Sequence, residues 1–225
     1  MEMKYCSKSV YEALYGSYLR SDPNVLLDAA GIEPSTWLNL PVLDLCGGNG
    51  RLSIAARKRG AMVRMVDADS NMSDIYELGK YGIDIRIGRV ENMLQERFWQ
   101  AHPPLFAAIF CQQAINYWLT KYNAIDVKHN MTLGGVFVFN TFNTLPPTIP
   151  VLRTRDMGDH NEYEVFYSTN NMVHHVQMRE GFAPHQTSFS WISPEGFMSI
   201  LEPHFDVERR TDGRTDIYVC RKEME

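Results

Sequence analysis

The sequence lacks the features that mark several classes of protein. Its four cysteines (Cys6, Cys46, Cys111 and Cys220) include no C-x-x-C pair, and this spacing favours reduced thiols over a disulfide framework or a zinc site. No apolar run approaches the roughly 20 residues that a membrane helix needs. Residues 1–6 lack the apolar core of a signal peptide. We therefore expect a cytoplasmic protein without a membrane partner or a bound metal.

An excess of positive charge is also absent. The 225 residues carry a net charge of −5 and the pI is near 5.8, which argues against a broad phosphate-binding surface and against nucleic acid as a partner. Hydrophobic residues make up 44% of the chain, as in ordinary globular proteins. A chain of this length is expected to form one α/β domain with its own core.

Apolar segments alternate with helical ones up to about residue 145. Strands are predicted at 42–45, 61–66, 83–87, 105–110 and 136–139. Helices are predicted at 8–31, 51–59 and 73–80, with a further helix between the fourth and fifth strands that ends near Leu133. This alternation predicts a mainly parallel sheet with helices on both faces.

The pattern changes after Pro146. Alternating runs at 162–167, 172–179 and 187–192 have no helices between them, which predicts an antiparallel meander. Ser193-Pro194-Glu195 begins a predicted short helix that runs to about Leu201. A closing hairpin is predicted from 205–210 and 215–220.

The stretch Asp44-Leu45-Cys46-Gly47-Gly48-Asn49-Gly50 joins the first strand to a helix. Small residues at such a corner let a ligand approach the backbone, and the helix that follows offers unpaired N–H groups. Gly48 to Ser53 supplies only two glycines of the dinucleotide pattern G-x-G-x-x-G. Asp67 ends the second strand, at about the separation expected of an acid that accepts ribose hydroxyls.

Together with Asp67, and with Gly88-Arg89-Val90-Glu91-Asn92-Met93 after the third strand, this corner resembles the class I S-adenosylmethionine-dependent methyltransferases. The resemblance covers 40–143, and the closing hairpin fits that family's antiparallel last strand. It implies a Rossmann-like, doubly wound α/β fold. The sheet would have seven strands with an antiparallel last strand, and an antiparallel β insertion would follow the fifth strand.

The resemblance also implies the parts of a single methyltransferase domain across residues 1–225. These parts are an N-terminal helical lid (1–40), a cofactor-binding core (41–145), a β-meander substrate cap (146–192) and a closing helix with a β-hairpin (193–225). The oligomeric state is left open, with a homodimer as one alternative.

The residues expected to bind S-adenosylmethionine lie in the lid and in four turns. They are Tyr15, Asp44, Cys46, Gly47, Gly48, Gly50, Asp67, Ala68, Arg89, Val90, Glu91, Gln112 and Gln113. The methionine part would lie against Gly48 and Gly50, and Asp67 would accept the ribose hydroxyls. Tyr15 shares a predicted helix face with Tyr11 and Tyr18, and packing of the lid is the alternative to ligand contact.

Two positions depart from the family's pattern. Cys46 stands where the first glycine is usual, and Arg89 replaces an acid that commonly lies near the adenine amino group. That amino group would then meet Glu91, a backbone carbonyl or water, while the N–H of Val90 contacts the adenine ring. Arg89 would either stack on the base or point into solvent.

The fourth strand's end lacks an N-P-P-Y or D-P-P-Y motif, acids that would hold magnesium, and the paired glutamates of protein arginine methyltransferases. Its neutral groups are Gln112, Gln113, Asn116 and Tyr117, which suit the orientation of a small polar substrate. Asn116 and Tyr117 are therefore candidate catalytic residues.

The meander supplies a further candidate, His174. Alternation places Met172, His174, Val176 and Met178 on one face and Val173, His175, Gln177 and Arg179 on the other. The first face is the more apolar, which favours His174 as the histidine of a pocket. A buried histidine with a structural hydrogen bond is the alternative.

We therefore expect a methyltransferase that moves a methyl group from S-adenosylmethionine to a nitrogen or oxygen of a small-molecule metabolite. The reaction would be an in-line displacement without a metal, with His174 or a tyrosine as base for a hydroxyl acceptor. Two alternatives stay open at this point. One is an NAD(P)-dependent oxidoreductase, and the other is a non-catalytic cofactor-binding or partner-binding module.

Overall fold

The computed structural model describes residues 22–70, 75–95, 105–156, 161–179, 184–213 and 215–224. The chain divides into two compact units, of which the larger holds Asp22–Asn143 and Pro194–Glu225. The smaller contains Thr144–Ser193. The division falls where the sequence changes from alternating strands and helices to strands alone. A single methyltransferase domain across the whole chain stays a prediction, and Tyr15 with the first part of the expected lid lies outside the described residues.

Helices in the described part of the chain all lie in the larger unit. They are α1 (Pro23–Ala29), α2 (Arg51–Lys58), α3 (Ile75–Lys80), α4 (Val90–Gln95), α5 (Lys121–His129) and α6 (Pro194–Leu201). The strands are β1 (Pro41–Leu45), β2 (Met62–Asp67), β3 (Asp84–Ile87), β4 (Phe106–Gln112), β5 (Met131–Phe142), β6 (Val151–Asp156), β7 (Asn161–Thr169), β8 (Met172–Arg179), β9 (His185–Ser190), β10 (Asp206–Asp212) and β11 (Thr215–Arg221).

The larger unit is built on a seven-stranded sheet in the order β10-β11-β5-β4-β1-β2-β3. The strands β1 to β5 are parallel, whereas β11 runs antiparallel to both β5 and β10. This confirms the predicted doubly wound α/β fold with its antiparallel last strand. The central strands β1 and β4 are buried on both faces, which explains their nearly continuous apolar sequences.

The prediction that one helix covers residues 8–31 is wrong at Asp22. A helix begins at Pro23, and the Asp22 carboxylate caps it by accepting the N–H of Asn24 at 2.9 Å. A residue before proline is held out of the helical region, and proline suits the first helical position. The part of this prediction that covers residues 8–21 lies outside the described residues.

The prediction that the helix between β4 and β5 ends near Leu133 is also wrong. Helix α5 ends at His129 and Asn130 follows as its C-cap, with the Asn130 side-chain amide donating to the carbonyl of Asp126 at 2.8 Å. Strand β5 starts at Met131, and its register with β4 shifts between Phe106 and Ala108. The glycine pair at 134–135 therefore lies inside an irregular strand and does not end a helix.

The smaller unit contains a four-stranded antiparallel sheet in the order β6-β7-β8-β9. This confirms the predicted β insertion, to which the structure adds β6. The turn between β7 and β8 has Asn170 at φ 49° and Asn171 at φ 61°. Successive positive φ angles match the twist of a two-residue hairpin, and asparagine tolerates them better than most residues.

Candidate functional site

The candidate site is formed by the turns at the carboxyl ends of β1, β2, β3 and β4. In an open parallel sheet these ends meet along one edge, where ligands commonly bind. Leu45 of β1 is paired with Val66 of β2 and with Cys111 of β4. The turns that begin just after these residues are therefore neighbours.

The first turn leaves no room for larger side chains at two of its glycines. A Cβ on Gly47 would overlap the Met65 side chain, and one on Gly50 would overlap Leu78. Gly50 also has a φ of 77° and precedes α2 directly. Its carbonyl accepts the N–H of Ile54 at 2.8 Å. Glycine is therefore required at both positions, by the packing of Met65 and Leu78 and, at Gly50, also by the backbone angle.

Cys46 adopts the conformation for which glycine is usual. Its φ is 55°, a left-handed angle that is strained for a residue with a Cβ. A hydrogen bond with Cys111, burial and the nearby carboxylates raise the pKa of the Cys46 thiol well above its ordinary value. The thiol therefore keeps its proton and serves as a packing group, since nucleophilic cysteines need an accessible thiolate.

Asp44 is a buried carboxyl group beneath this turn. It is 1% exposed, and its Oδ2 accepts a hydrogen bond from the Ser53 hydroxyl at 2.7 Å. Its Oδ1 has no hydrogen-bond partner among the described residues. Burial raises the pKa of Asp44 to about 7, with a further increase from the charge of Asp67 and a decrease from the Ser53 hydrogen bond. A positively charged group near Oδ1 would favour the ionised form.

Asp67 connects the second turn to the first. Its Oδ2 accepts the N–H of Gly48 at 2.7 Å and its Oδ1 accepts the N–H of Asp69 at 2.9 Å. Burial raises the pKa of Asp67, and these backbone hydrogen bonds oppose the increase. Each carboxylate oxygen offers about two lone pairs. Asp67 can thus hold the turn and still accept hydrogen bonds from hydroxyl groups.

The third turn is joined to the second through Gly88, whose N–H donates to the Asp67 carbonyl at 2.8 Å. Val90 is buried at the start of α4, and Glu91 is half-buried. The Arg89 side chain is exposed. Residues 90–95 form a helix, for which the sequence analysis made no prediction, and the Val90 N–H lies in its first turn.

The fourth turn is held by the end of the neighbouring strand β5. Gln113 has a φ of 59°, and its N–H donates to Asn140 Oδ1 at 2.8 Å. The Asn116 side-chain amide donates to the Thr141 hydroxyl at 2.6 Å. Asn140 and Thr141 are each 4% exposed. Tyr117 is more open, at 38% exposure, so the turn combines a fixed backbone with accessible polar groups.

Sequence reasoning missed Ser53, Asn140 and Thr141 as supporting residues. Ser53 had a weak signal, because it stands at the third position of the glycine pattern. Asn140 and Thr141 had the signal of polar residues at the end of an apolar strand, which is typical of a site edge. Their partners in the fourth turn lie more than 20 residues earlier in the chain.

The histidines of β8 are arranged differently from the expectation. The ring of His174 is half-buried, with Nε2 2.8 Å from the Thr169 hydroxyl and Nδ1 2.9 Å from the Ser188 hydroxyl. It also stacks on Tyr167 with ring centres 4.8 Å apart. Both ring nitrogens are therefore held within the sheet. A catalytic role for His174 stays a prediction.

The buried face of β8 is the more polar one, which carries Val173, His175 and Gln177. The higher apolar content of the His174 face therefore did not identify the buried face of β8. The physical reason is a cross-strand pair, because His175 Nε2 lies 2.7 Å from Glu164 Oε1 and the two groups compensate each other's burial.

In the described part of the chain, no group of three or more histidine, cysteine or acidic side chains is arranged to hold a metal ion. None of the described helices has the length and apolar character required to cross a membrane.

No family model matches the sequence, and no curated protein does. Solved structures do match. One is a S-adenosylmethionine-dependent methyltransferase from Clostridium acetobutylicum, with 14% identity and a TM-score of 0.72. The match covers 96% of this chain and 97% of that chain. The sugar N-methyltransferase KedS8 from Streptoalloteichus has 11% identity and a TM-score of 0.71, with coverage of 99% and 96%. CalS10, an amino pentose methyltransferase from Micromonospora echinaspora, has 14% identity and a TM-score of 0.68, with coverage of 99% of both chains. The chain therefore has the fold of the S-adenosylmethionine-dependent methyltransferases.

Proposed function

We propose that this protein is a S-adenosylmethionine-dependent methyltransferase that acts on a nitrogen or oxygen of a small molecule. The observation that carries the proposal is the bare glycine turn, which lies between the buried carboxyl groups of Asp44 and Asp67. A ligand with a positively charged end and a ribose matches this pair of acids. Structural neighbours described as methyltransferases support the same conclusion.

Each part of the cofactor has a matching group in these turns. The ammonium of the methionine part suits Asp44 Oδ1, which has no donor among the described residues. The ribose hydroxyls suit the remaining lone pairs of Asp67. The adenine ring would lie near the N–H of Val90 and the half-buried Glu91. Arg89, being exposed, is assigned no contact with the base by this arrangement.

When bound, S-adenosylmethionine supplies a methyl group on a positively charged sulfur. The protein's part is to orient the acceptor and to exclude water, and Gln113, Asn116 and Tyr117 are proposed for the first task. Asn140 fixes the backbone of Gln113 and Thr141 fixes the side chain of Asn116. Fixed donors and acceptors of this kind lower the entropic cost of alignment, which accounts for much of the barrier in a two-reactant step.

An amine acceptor is favoured over a hydroxyl. An amine needs only to lose a proton before it attacks, whereas a hydroxyl needs a base within hydrogen-bond reach. Neighbours described as a sugar N-methyltransferase and an amino pentose methyltransferase support an amino sugar as the acceptor class. We therefore propose nitrogen as the methylated atom.

Calorimetry with S-adenosylhomocysteine and with NAD separates the proposal from an oxidoreductase. We expect saturable binding of S-adenosylhomocysteine by the wild type and none of NAD. The reverse preference would overturn the proposal. Radiolabelled S-adenosylmethionine should then transfer its methyl group to members of an amino sugar panel. Cofactor binding without transfer to any of them would support a non-catalytic module.

A further inference from the structure

The smaller unit buries an unusual set of polar side chains on one face of its sheet. Glu164 is 3% exposed, Gln177 is 3% exposed and His175 is 8% exposed. Among the described residues of this unit, Val173 and Phe189 are the buried apolar ones. A sheet normally buries its apolar face and leaves polar groups to solvent. The reversed order here needs a physical reason beyond packing.

The three polar residues are close neighbours across two strands. Glu164 of β7 and Gln177 of β8 are direct cross-strand partners, so their Cβ atoms lie roughly 5 Å apart. His175 is two positions from Gln177 on the same face, and its Nε2 lies 2.7 Å from Glu164 Oε1. A carboxylate, an imidazole and an amide therefore share one small area, which we call the polar cluster.

The amide oxygen of Gln177 is the next feature of this cluster. Gln177 Oε1 is buried and has no hydrogen-bond donor among the described residues. Ser168, which is 1% exposed on the same strand as Glu164, is satisfied, because its hydroxyl donates to the Pro146 carbonyl at 2.6 Å. Buried acceptors are almost always paired. A ligand's N–H or O–H group would supply the donor that this buried oxygen lacks among the described residues.

We propose that the polar cluster of Glu164, His175 and Gln177 binds the amino group of a small amine. Gln177 Oε1 accepts a hydrogen bond from the ligand. The Glu164 carboxylate attracts the positively charged amine, and His175 fixes the orientation of that carboxylate through their 2.7 Å contact. Binding of the amine by this cluster does not depend on the proposed function.

D-Glucosamine is a suitable probe because it carries one ammonium and several hydroxyls. The full chain with isotope-labelled histidine rings would be titrated and followed by NMR, with the His175 signals assigned through a His175→Gln variant. We expect a saturable shift of the His175 signals. D-Glucose, which lacks the amine, should bind at least about tenfold more weakly because it loses a charge-assisted hydrogen bond.

Gln177→Leu removes the acceptor at similar size, and Glu164→Gln removes the charge at similar shape. Each should raise the dissociation constant for D-glucosamine at least about tenfold. Gln186→Leu is the matched control, because Gln186 is exposed on β9, and it should bind like the wild type. No saturable shift in the wild type, as expected of a cluster that holds only water, would overturn the inference. So would a folded Gln177→Leu variant with unchanged affinity.

The same samples separate this inference from the proposed function. S-Adenosylhomocysteine affinity, measured by calorimetry, should be equal in the wild type and in Gln177→Leu. Binding of D-glucosamine without binding of S-adenosylhomocysteine would refute the methyltransferase assignment alone. Binding of S-adenosylhomocysteine without D-glucosamine would refute the polar cluster as an amine site alone.

Discussion

Cofactor affinity should depend on pH through Asp44. The pKa of Asp44 is about 7, so the ionised fraction is about 0.09 at pH 6 and about 0.76 at pH 7.5. If only the ionised form holds the ammonium of S-adenosylhomocysteine, the apparent dissociation constant scales with the inverse of that fraction. Binding should therefore strengthen about eightfold between pH 6 and pH 7.5.

Binding should also release a proton. A cation beside Asp44 lowers its pKa, so about half a proton should leave the protein at pH 7, where the free carboxyl is about half ionised. Calorimetry in two buffers with different heats of ionisation measures this release directly. Ser53→Ala removes the hydrogen bond that lowers the Asp44 pKa, so the pH at which affinity changes should move upward in that variant.

The titration of Asp44 should affect folding stability in the opposite direction from cofactor affinity, so that stability falls as pH rises. Its folded pKa of about 7 exceeds that of an unfolded aspartate, so the unfolded chain loses this proton first as pH rises. Stability should fall between about pH 4 and pH 7 and then level off. The upper limit of this loss is about 4 kcal/mol.

Asp44→Asn is the reference for both effects. Its amide oxygen can still accept from Ser53, while the titration is gone. The difference in urea unfolding between the wild type and this variant should grow from pH 4 to pH 7, and the variant's cofactor affinity should be weak and nearly constant with pH. An affinity of the wild type that is equal at pH 6 and pH 7.5, with no proton release, would refute the role given to Asp44.

Other changes test the remaining turns and the meander. Asp67→Ala should weaken S-adenosylhomocysteine binding at least about tenfold in calorimetry, because the bonds that hold Gly48 are lost along with the ribose acceptor; undiminished affinity would contradict the ribose assignment. Asn140→Ala leaves the Gln113 N–H without its acceptor and should cost about 1–3 kcal/mol in urea unfolding, whereas an unchanged midpoint would mean that the turn is held otherwise. His174→Ala should lower turnover and leave cofactor affinity unchanged, and equal turnover would remove His174 from the mechanism. Cys46→Gly should be more stable than Cys46→Ala by about 1 kcal/mol, because only alanine keeps a Cβ at a left-handed angle; an equal or lower thermal midpoint would show that the angle carries no strain.

The sheet and the first turn were predictable because their signals are local. The strand into Asp44 is apolar on both faces, and three glycines follow Asp44 within six residues. The antiparallel meander was predictable for the same reason, since alternation and asparagine turns are written within a few residues.

The supporting contacts were not predictable because they join distant parts of the chain. Gln113 and Asn140 are 27 residues apart, and nothing near Gln113 shows that its backbone is left-handed. Apolar content did not identify the buried face of β8 for a related reason. The burial of His175 depends on Glu164 across the strand, and hydropathy counted along one strand does not register a partner on another.

Two residues at the first corner have side chains where a glycine pattern would have none. Cys46 is held at a left-handed angle, which costs folding free energy of order 1–2 kcal/mol, and Ser53 stands at the third position of the dinucleotide pattern. Each side chain gains a buried partner on the strands below, Cys111 for the thiol and Asp44 for the hydroxyl. The Ser53 hydroxyl occupies one oxygen of Asp44, leaves the other for the proposed cofactor contact, and limits the rise in the pKa of Asp44. Removing the hydroxyl should therefore move the pH at which the cofactor binds, a consequence that a glycine at this position would not have.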